Sequence, residues 1–193
     1  MTRIIAFIAV AFITHSGFSQ SNTKHIYSGG MLFFQPGYTL TSNGHQEIES
    51  MSHGLGGILR FYFYEHFTAG IYGGTQKTKY ATELSDLSYI SLGYGGPFFG
   101  VTHETGKVRL TASVFAGKGT VRNLHVESEY QNFLLLSWFY KEPAFVFSPL
   151  LSIDYAVTQR LNLTLQTVCL VASYGEDRML YNPTVQIGVL FSR

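Results

Sequence analysis

The chain has 193 residues, 13 basic and 12 acidic, with charged side chains at 13%, aromatics at 16% and 20 glycines. That length suits one domain, the balanced charge without a basic run argues against a nucleic-acid partner, and the lone cysteine, Cys169, rules out an intrachain disulfide. Sparse charge with many strand-forming aromatics and turn-forming glycines predicts an all-β chain.

The first element is a leader. Arg3, the uninterrupted apolar run Ile4 to Ile13 and the small residues of Gly17-Phe18-Ser19 have the make-up of a secretory signal cleaved after Ser19. Its apolar run would rise only about 15 Å as a helix, half a bilayer, too short for an anchor. Residues 1–19 are therefore read as a signal peptide and 20–193 as one exported domain. No cysteine near the cleavage site offers a lipid anchor. Arg3 leaves with the leader, so the 13 basic residues fall by one to match the 12 acidic ones.

Gly30 to Leu40 reads as the first strand, with Gln35, Pro36 and Gly37 inside it, and Thr41 to Ser52 as a polar connection containing Asn43-Gly44. The second strand, His53 to Tyr64, sets Leu55, Leu59, Phe61 and Phe63 on one face and Gly54, Gly56, Arg60 and Tyr62 on the other. A face carrying Arg60 can be neither lipid-facing nor dry core unless the charge is paired. Glu65-His66 is a short turn before the third strand, Phe67 to Gly74, where Phe67, Ala69 and Ile71 oppose Thr68, Gly70 and Tyr72; Thr75 to Leu87 is again polar. The fourth strand, Ser88 to Thr102, alternates Ile90, Leu92, Tyr94 and Phe98 with Ser91, Gly93 and Gly95, and turns at His103 to Gly106. The fifth, from Lys107, opposes Val108, Leu110, Ala112 and Val114 to Arg109, Thr111 and Ser113.

From Gly117 to Pro143 the pattern loosens into a connection, with a polar part near Glu127 to Asn132 and an apolar part, Phe133 to Tyr140. Phe145 to Leu165 then carries the period of two on both sides of a bend at Thr158-Gln159-Arg160. Phe147, Leu151, Ile153, Tyr155 and Val157, and after the bend Leu161, Leu163 and Leu165, form the apolar face, while Ser148, Ser152 and Asp154 lie on the other parity. Ser173 to Asn182 is polar, and the eighth strand sets Val185, Ile187, Val189 and Phe191 against Gln186, Gly188 and Ser192.

Two regularities define the architecture. Short connections at Glu65, His103 and Thr158 alternate with long ones at Thr41, Thr75, Gly117 and Ser173, so all the turns lie at one end and all the loops at the other. Arg60, Arg109 and Asp154 lie opposite apolar faces. Lipid outside and a narrow polar lumen inside account for both, and closure leaves no sheet edge unpaired in lipid. The prediction is an all-β, eight-stranded antiparallel up-and-down transmembrane β-barrel with both termini at the turn end.

With its export signal, strand rhythm and segments such as Gly56-Gly57-Ile58-Leu59-Arg60-Phe61-Tyr62-Phe63 and Pro149-Leu150-Leu151-Ser152-Ile153-Asp154-Tyr155-Ala156-Val157, the chain resembles the small eight-stranded outer-membrane β-barrel proteins of Gram-negative bacteria. The likeness covers residues 28 to 193 and implies outer-membrane residence. Many members end in an aromatic residue, whereas here Phe191 is followed by Ser192-Arg193.

Arg60, Arg109 and Asp154 are expected to form a charge network plugging the lumen, since eight strands leave room only for side chains and no wide pore. Trp138, Tyr140 and Tyr155 are read as interface aromatics at headgroup level, a role open also to Tyr38, Tyr62, Tyr64 and Tyr89; Phe133 to Tyr140 is alternatively an exposed partner patch. Cys169 shares the lipid-facing parity with Leu165. His53, His66, His103 and His125 show no metal-ligand spacing, so no metal, cofactor or catalytic residue is assigned. The expected role is structural or surface-interactive, a monomer contacting outer-membrane lipid and presenting long loops to a partner. Two alternatives are kept: a lipid-modifying acyl hydrolase or transferase, for which His125, Ser128 and Glu129 are candidates by composition, and an exported lipocalin-like barrel holding an apolar ligand, which would turn the apolar faces inward.

Overall fold

A computed structural model describes residues 26–64, 66–130 and 133–192; the leader lies outside them. Nine strand segments follow in order: β1 Ile26–Phe34, β2 Gly37–Ser42, β3 Glu47–Phe63, β4 Phe67–Thr82, β5 Ser85–Thr105, β6 Val108–Tyr130, β7 Phe133–Ala156, β8 Leu161–Tyr174 and β9 Arg178–Ser192. β1 and β2 are one strand in the same register, parted at Gln35-Pro36 because proline has no N–H for the ladder. The nine segments therefore fill eight positions, and all pairings are antiparallel.

The ring closes, since β1 and β2 pair with β3 on one side and β9 on the other. Following the register from Tyr27 through Tyr62, Thr68, Gly100, Ser113, Leu150, Val168 and Thr184 returns to the first strand at Gly37, ten residues further on. A stagger of ten over eight strands tilts them by about 40°, within the range of closed barrels.

Tight connections hold the ends. At the end where the first and last described residues lie, Gly106 takes φ 62° in the turn between Thr105 and Val108. At the far end Gly44 takes φ 85°, and the Asn43 Oδ1 beside it accepts bonds from the His45 and Gln46 amides.

The far end differs from the expected long loops. β2 and β3 are joined by residues 43–46, β4 and β5 by 83–84, and β8 and β9 by 175–177, so most of the residues read as loops continue the strands. The physical reason is an inversion of pattern. Along β6 the outward residues run Val108, Leu110, Ala112, Val114, Ala116 and then Lys118, Thr120 and Arg122; along β4, Phe67, Ala69 and Ile71 give way to Thr75, Lys77 and Lys79. Roughly ten residues of a tilted strand cross a bilayer. Beyond them the barrel stands in water, outward positions turn polar, and a stretch that is strand reads as loop.

The same inversion reassigns the apolar parity of the fourth predicted strand. Ile90, Leu92, Tyr94 and Phe98 of β5 are buried inside, Ser91, Gly93 and Gly95 face out, and lower on the strand Phe99 and Val101 face lipid. Elsewhere the apolar faces point outward as expected: Leu55, Leu59 and Phe61 on β3, Phe147, Leu151 and Ile153 on β7, Leu163 and Leu165 on β8, Ile187 and Phe191 on β9. This outward apolar band excludes the lipocalin-like arrangement.

Candidate functional site

The lumen is crossed by a connected polar network. Arg60, 1% exposed, donates from Nη1 to Asp154 Oδ2 at 3.2 Å and from Nη2 to Gln166 Oε1 at 2.6 Å, while Asp154 Oδ1 accepts from Thr164 at 2.7 Å. Gln166 passes the chain to Gln186 Oε1 at 2.6 Å, and Gln186 donates to Gln35 Oε1 at 2.8 Å and to the Tyr72 hydroxyl. Tyr94 donates to the same Gln35 oxygen at 2.8 Å and meets Tyr72 at 3.0 Å. Seven strands thus hold one another through the barrel centre. A charge sequestered there is tolerable only with such partners; both Nη atoms of Arg60 have one, whereas its buried Nε has none among the described residues.

Apolar side chains fill the rest. Met31, Phe33, Phe98, Phe115, Leu150 and Leu190 are buried beside the network, and Tyr72 packs edge-on to Phe115 at 5.0 Å. Nearer the far end a second polar layer joins Gln76 to Ser52, Asn182 and Thr184, with Asn182 also donating to Thr39.

Arg109 takes a different place from Arg60 and Asp154. Although it lies directly across from Asp154 in the ladder, its side chain makes two bonds to Glu104, at 3.1 and 2.7 Å, and stacks over the Tyr62 ring at 4.5 Å. Glu104 is the residue facing it on β5, and this pair sits at the barrel's turn end, half in water. Tyr62 accordingly lies in the lumen, not at a lipid interface.

The mouth forms the second cluster. β6 and β7 rise above their neighbours: above Ala144 β7 pairs only with β6, and above Leu124 β6 pairs only with β7, so the two end in a two-stranded ribbon with no strand paired on either edge. His45, from the turn between β2 and β3, reaches its inner face: the ring stacks on His125 at 4.4 Å, bonds the Tyr140 hydroxyl at 3.2 Å and lies 6.3 Å from Trp138. Tyr80 bonds Asn43, Asn123 and His125 beneath it, and Arg178 pairs with Glu142. Only about 10 Å³ of space remains among Asn43, Asn123, Tyr140, Glu142, Tyr174 and Arg178.

Trp138 and Tyr140 thus sit on the lumen parity of the ribbon, above the apolar band, whereas Tyr155 is half-exposed on the outer face near the turn end. The difference follows from the length of β7: its outward apolar run ends near Phe145, and both aromatics lie beyond it.

No family model matches the chain, and no curated protein sequence matches it. Solved structures are similar. Neisserial surface protein A superposes with a TM-score of 0.57 at 10% identity, over 84% of this chain and 96% of that one. The outer membrane protein OprG from Pseudomonas aeruginosa superposes with a TM-score of 0.58 at 11% identity, over 91% of this chain and 99% of that one. The fold is that of the small outer-membrane β-barrels.

The described side chains among the remaining candidates take other partners. His125 contacts Tyr80 and His45, not Ser128; the Glu129 side chain lies outside the described residues. His66 turns back to the Tyr64 carbonyl, His103 bonds Thr105, and His53 faces out from β3. Among the described residues no three His, Cys, Asp or Glu side chains gather as metal ligands. Sequence reading missed Gln35, Gln166 and Gln186 as network members. Their signal was present, a glutamine on the polar parity of a strand whose other face is lipid. His45 gave no such signal, because it lies in a turn.

Proposed function

We propose that the protein resides in the bacterial outer membrane and acts at the cell surface as an interaction scaffold, its lumen occluded and its β6–β7 ribbon presented to a partner. The observation that carries this reading is the ribbon itself. It extends about 30 Å past the apolar band, given 3.3 Å per residue and the strand tilt. It exposes Leu136, Trp138 and Phe139 at 43, 43 and 59%. The unpaired edge of β7 from Phe133 to Pro143 offers backbone groups to an added strand, the geometry of recognition by β-augmentation.

The test compares cells bearing the full chain with cells in which residues 125–138 are replaced by Asn-Gly. Both proteins should migrate as compact species when unboiled. Adhesion to matrix-coated surfaces should fall only in the shortened strain, while the acyl-chain profile of envelope lipids stays the same. A changed lipid profile with unchanged adhesion would favour the enzyme reading instead.

A further inference from the structure

The outer wall carries a second feature that neither the plug nor the ribbon uses. Carried across five adjacent strands, the register aligns His53 on β3 with Lys77 on β4, Ser91 on β5, Arg122 on β6 and Lys141 on β7. Lys79 lies two residues above Lys77, and Lys118 lies four residues below Arg122. All six basic side chains are exposed and point away from the barrel. Lys77 and Lys118 stand where the outward positions of β4 and β6 turn from apolar to polar, the outer surface of the bilayer, and Lys79, Arg122 and Lys141 lie further along their strands toward the far end. The outward positions of β2, β8 and β9 carry no charge at any height, so the patch is confined to one side.

Between the basic strands runs a trough. Its floor is the outward face of β5, made of Ser91, Gly93 and Gly95; a Cβ built on Gly93 would meet nothing within 4 Å, and one on Gly95 only the Tyr72 carbonyl at 3.9 Å. Lys77 forms one wall, and Lys118 and Arg122 the other, with Thr75 and Thr120 facing Gly93 from either side. At the top, the Lys77 ammonium sits 4.2 Å from the centre of the Tyr89 ring, leaning over β5. At the bottom the floor continues into Pro97 and Phe99 of the apolar band.

The charge arrangement favours an anion. Arg122 and Lys141 stand directly opposite each other, an arrangement that destabilises a sheet when both partners carry the same sign. Among the described residues, none of the six basic groups makes an ion pair. Glu47 and Glu49, the outward acids of β3, lie beyond His53 toward the far end of that strand. A phosphate would meet a guanidinium fork, two ammonium groups and hydroxyls around a floor free of side-chain bulk. The continuity with the apolar band makes the ligand a lipid, because the same molecule can lay an acyl chain on Phe99 while its headgroup fills the trough.

We propose that the trough over Ser91, Gly93 and Gly95 binds the phosphorylated headgroup of an outer-leaflet glycolipid. This rests on the outer-membrane reading above, and the test separates the two. The full barrel is purified in neutral detergent, and the probe is bisphosphorylated lipid A, with its dephosphorylated form as control, scored by native mass spectrometry. The expected result is retention of the phosphorylated form alone, weakened about tenfold or more in K118Q/R122Q, the scale of a lost charge-assisted contact. G93W, which fills the trough without touching a charge, should weaken it as well.

Equal binding of the two lipid A forms, or unchanged binding in both variants, overturns the proposal. Binding of a soluble sulfated polysaccharide with no retention of lipid A would assign the patch to a polysaccharide partner and overturns it too. Migration of the unboiled protein reports separately on the barrel. A compact, heat-modifiable species that ignores lipid A phosphate sinks only the trough assignment, whereas loss of heat-modifiability in the parent protein sinks the outer-membrane reading.

Discussion

Asp154 shows how much the environment of a single residue decides. It is 2% exposed and supplies the only carboxylate bonded to Arg60 among the described residues, so replacing it strands a cation rather than merely losing a bond. Asp154→Leu is expected to cost about 3–5 kcal/mol, the usual penalty for breaking a buried pair. Arg60→Met together with Asp154→Leu should recover most of that loss, as the lumen is already half apolar. Urea unfolding in detergent micelles measures both, and a double variant as unstable as the single one would show that the pair's geometry, not its charge, holds the strands. Glu104→Gln makes the contrast, since its pair with Arg109 is partly in water and should contribute no more than about 1 kcal/mol.

His125, above the membrane, gives the same principle a pH dependence. Burial, and next the neighbouring His45, lower its pKa from the ordinary 6.5. A histidine held neutral in the folded state stabilises most above its unfolded pKa and loses that contribution as pH falls through 6.5 toward the folded value. Acidification from pH 7.5 to 5 should therefore loosen the mouth, visible as a change in the emission of Trp138, the chain's one tryptophan, which lies 6.3 Å from His45. His45→Gln should move the midpoint of that change upward; a downward move would contradict the repulsion between the stacked rings.

At the scale of the strand, the information lies in where the alternation changes sign. The lower halves of β3, β4, β6, β7, β8 and β9 were legible because outward apolar residues, such as Val108 to Val114 or Leu151 to Tyr155, face small or polar inward ones. The upper halves were not, because above the bilayer the rule reverses to that of a soluble barrel: Ile90 and Leu92 turn inward, Lys77 and Arg122 turn outward, and what reads as a loop is strand. Arg60 and Asp154 were legible as lumen residues from parity alone. That Arg109 would choose Glu104 was not, since rotamer choice between two cross-strand acids is invisible in a pattern of period two. Depth along β7 makes this testable. Leu151→Arg, on the outer face within the apolar band, should cost about 2–4 kcal/mol of folding free energy in a bilayer, and Phe139→Arg, outward on the ribbon, close to nothing. Equal costs would put the ribbon inside the membrane and move the boundary drawn at Lys118 and Phe145.

For the whole molecule, closure sets the interior before any side chain is chosen. Eight strands staggered by ten residues enclose a space only wide enough for side chains to fill. Here the network from Asp154 to Tyr94 crosses it at one height, the layer of Gln76 and Asn182 at a second, and the packing of Asn43, Tyr80 and Asn123 closes it at a third. Ion passage needs a continuous column of water, and three successive barriers would have to part together to form one. Purified protein in a planar bilayer should accordingly show no discrete conductance steps, and liposomes containing it should stay impermeable to small sugars. Removing one barrier, as in Gln186→Ala, should leave both results unchanged, since Phe98, Phe115, Leu150 and Leu190 still fill the lumen beside it. Reproducible unitary openings in the parent protein would show that these layers part as a unit, and the barrel would then have to be read as a gated channel rather than a closed support for its ribbon.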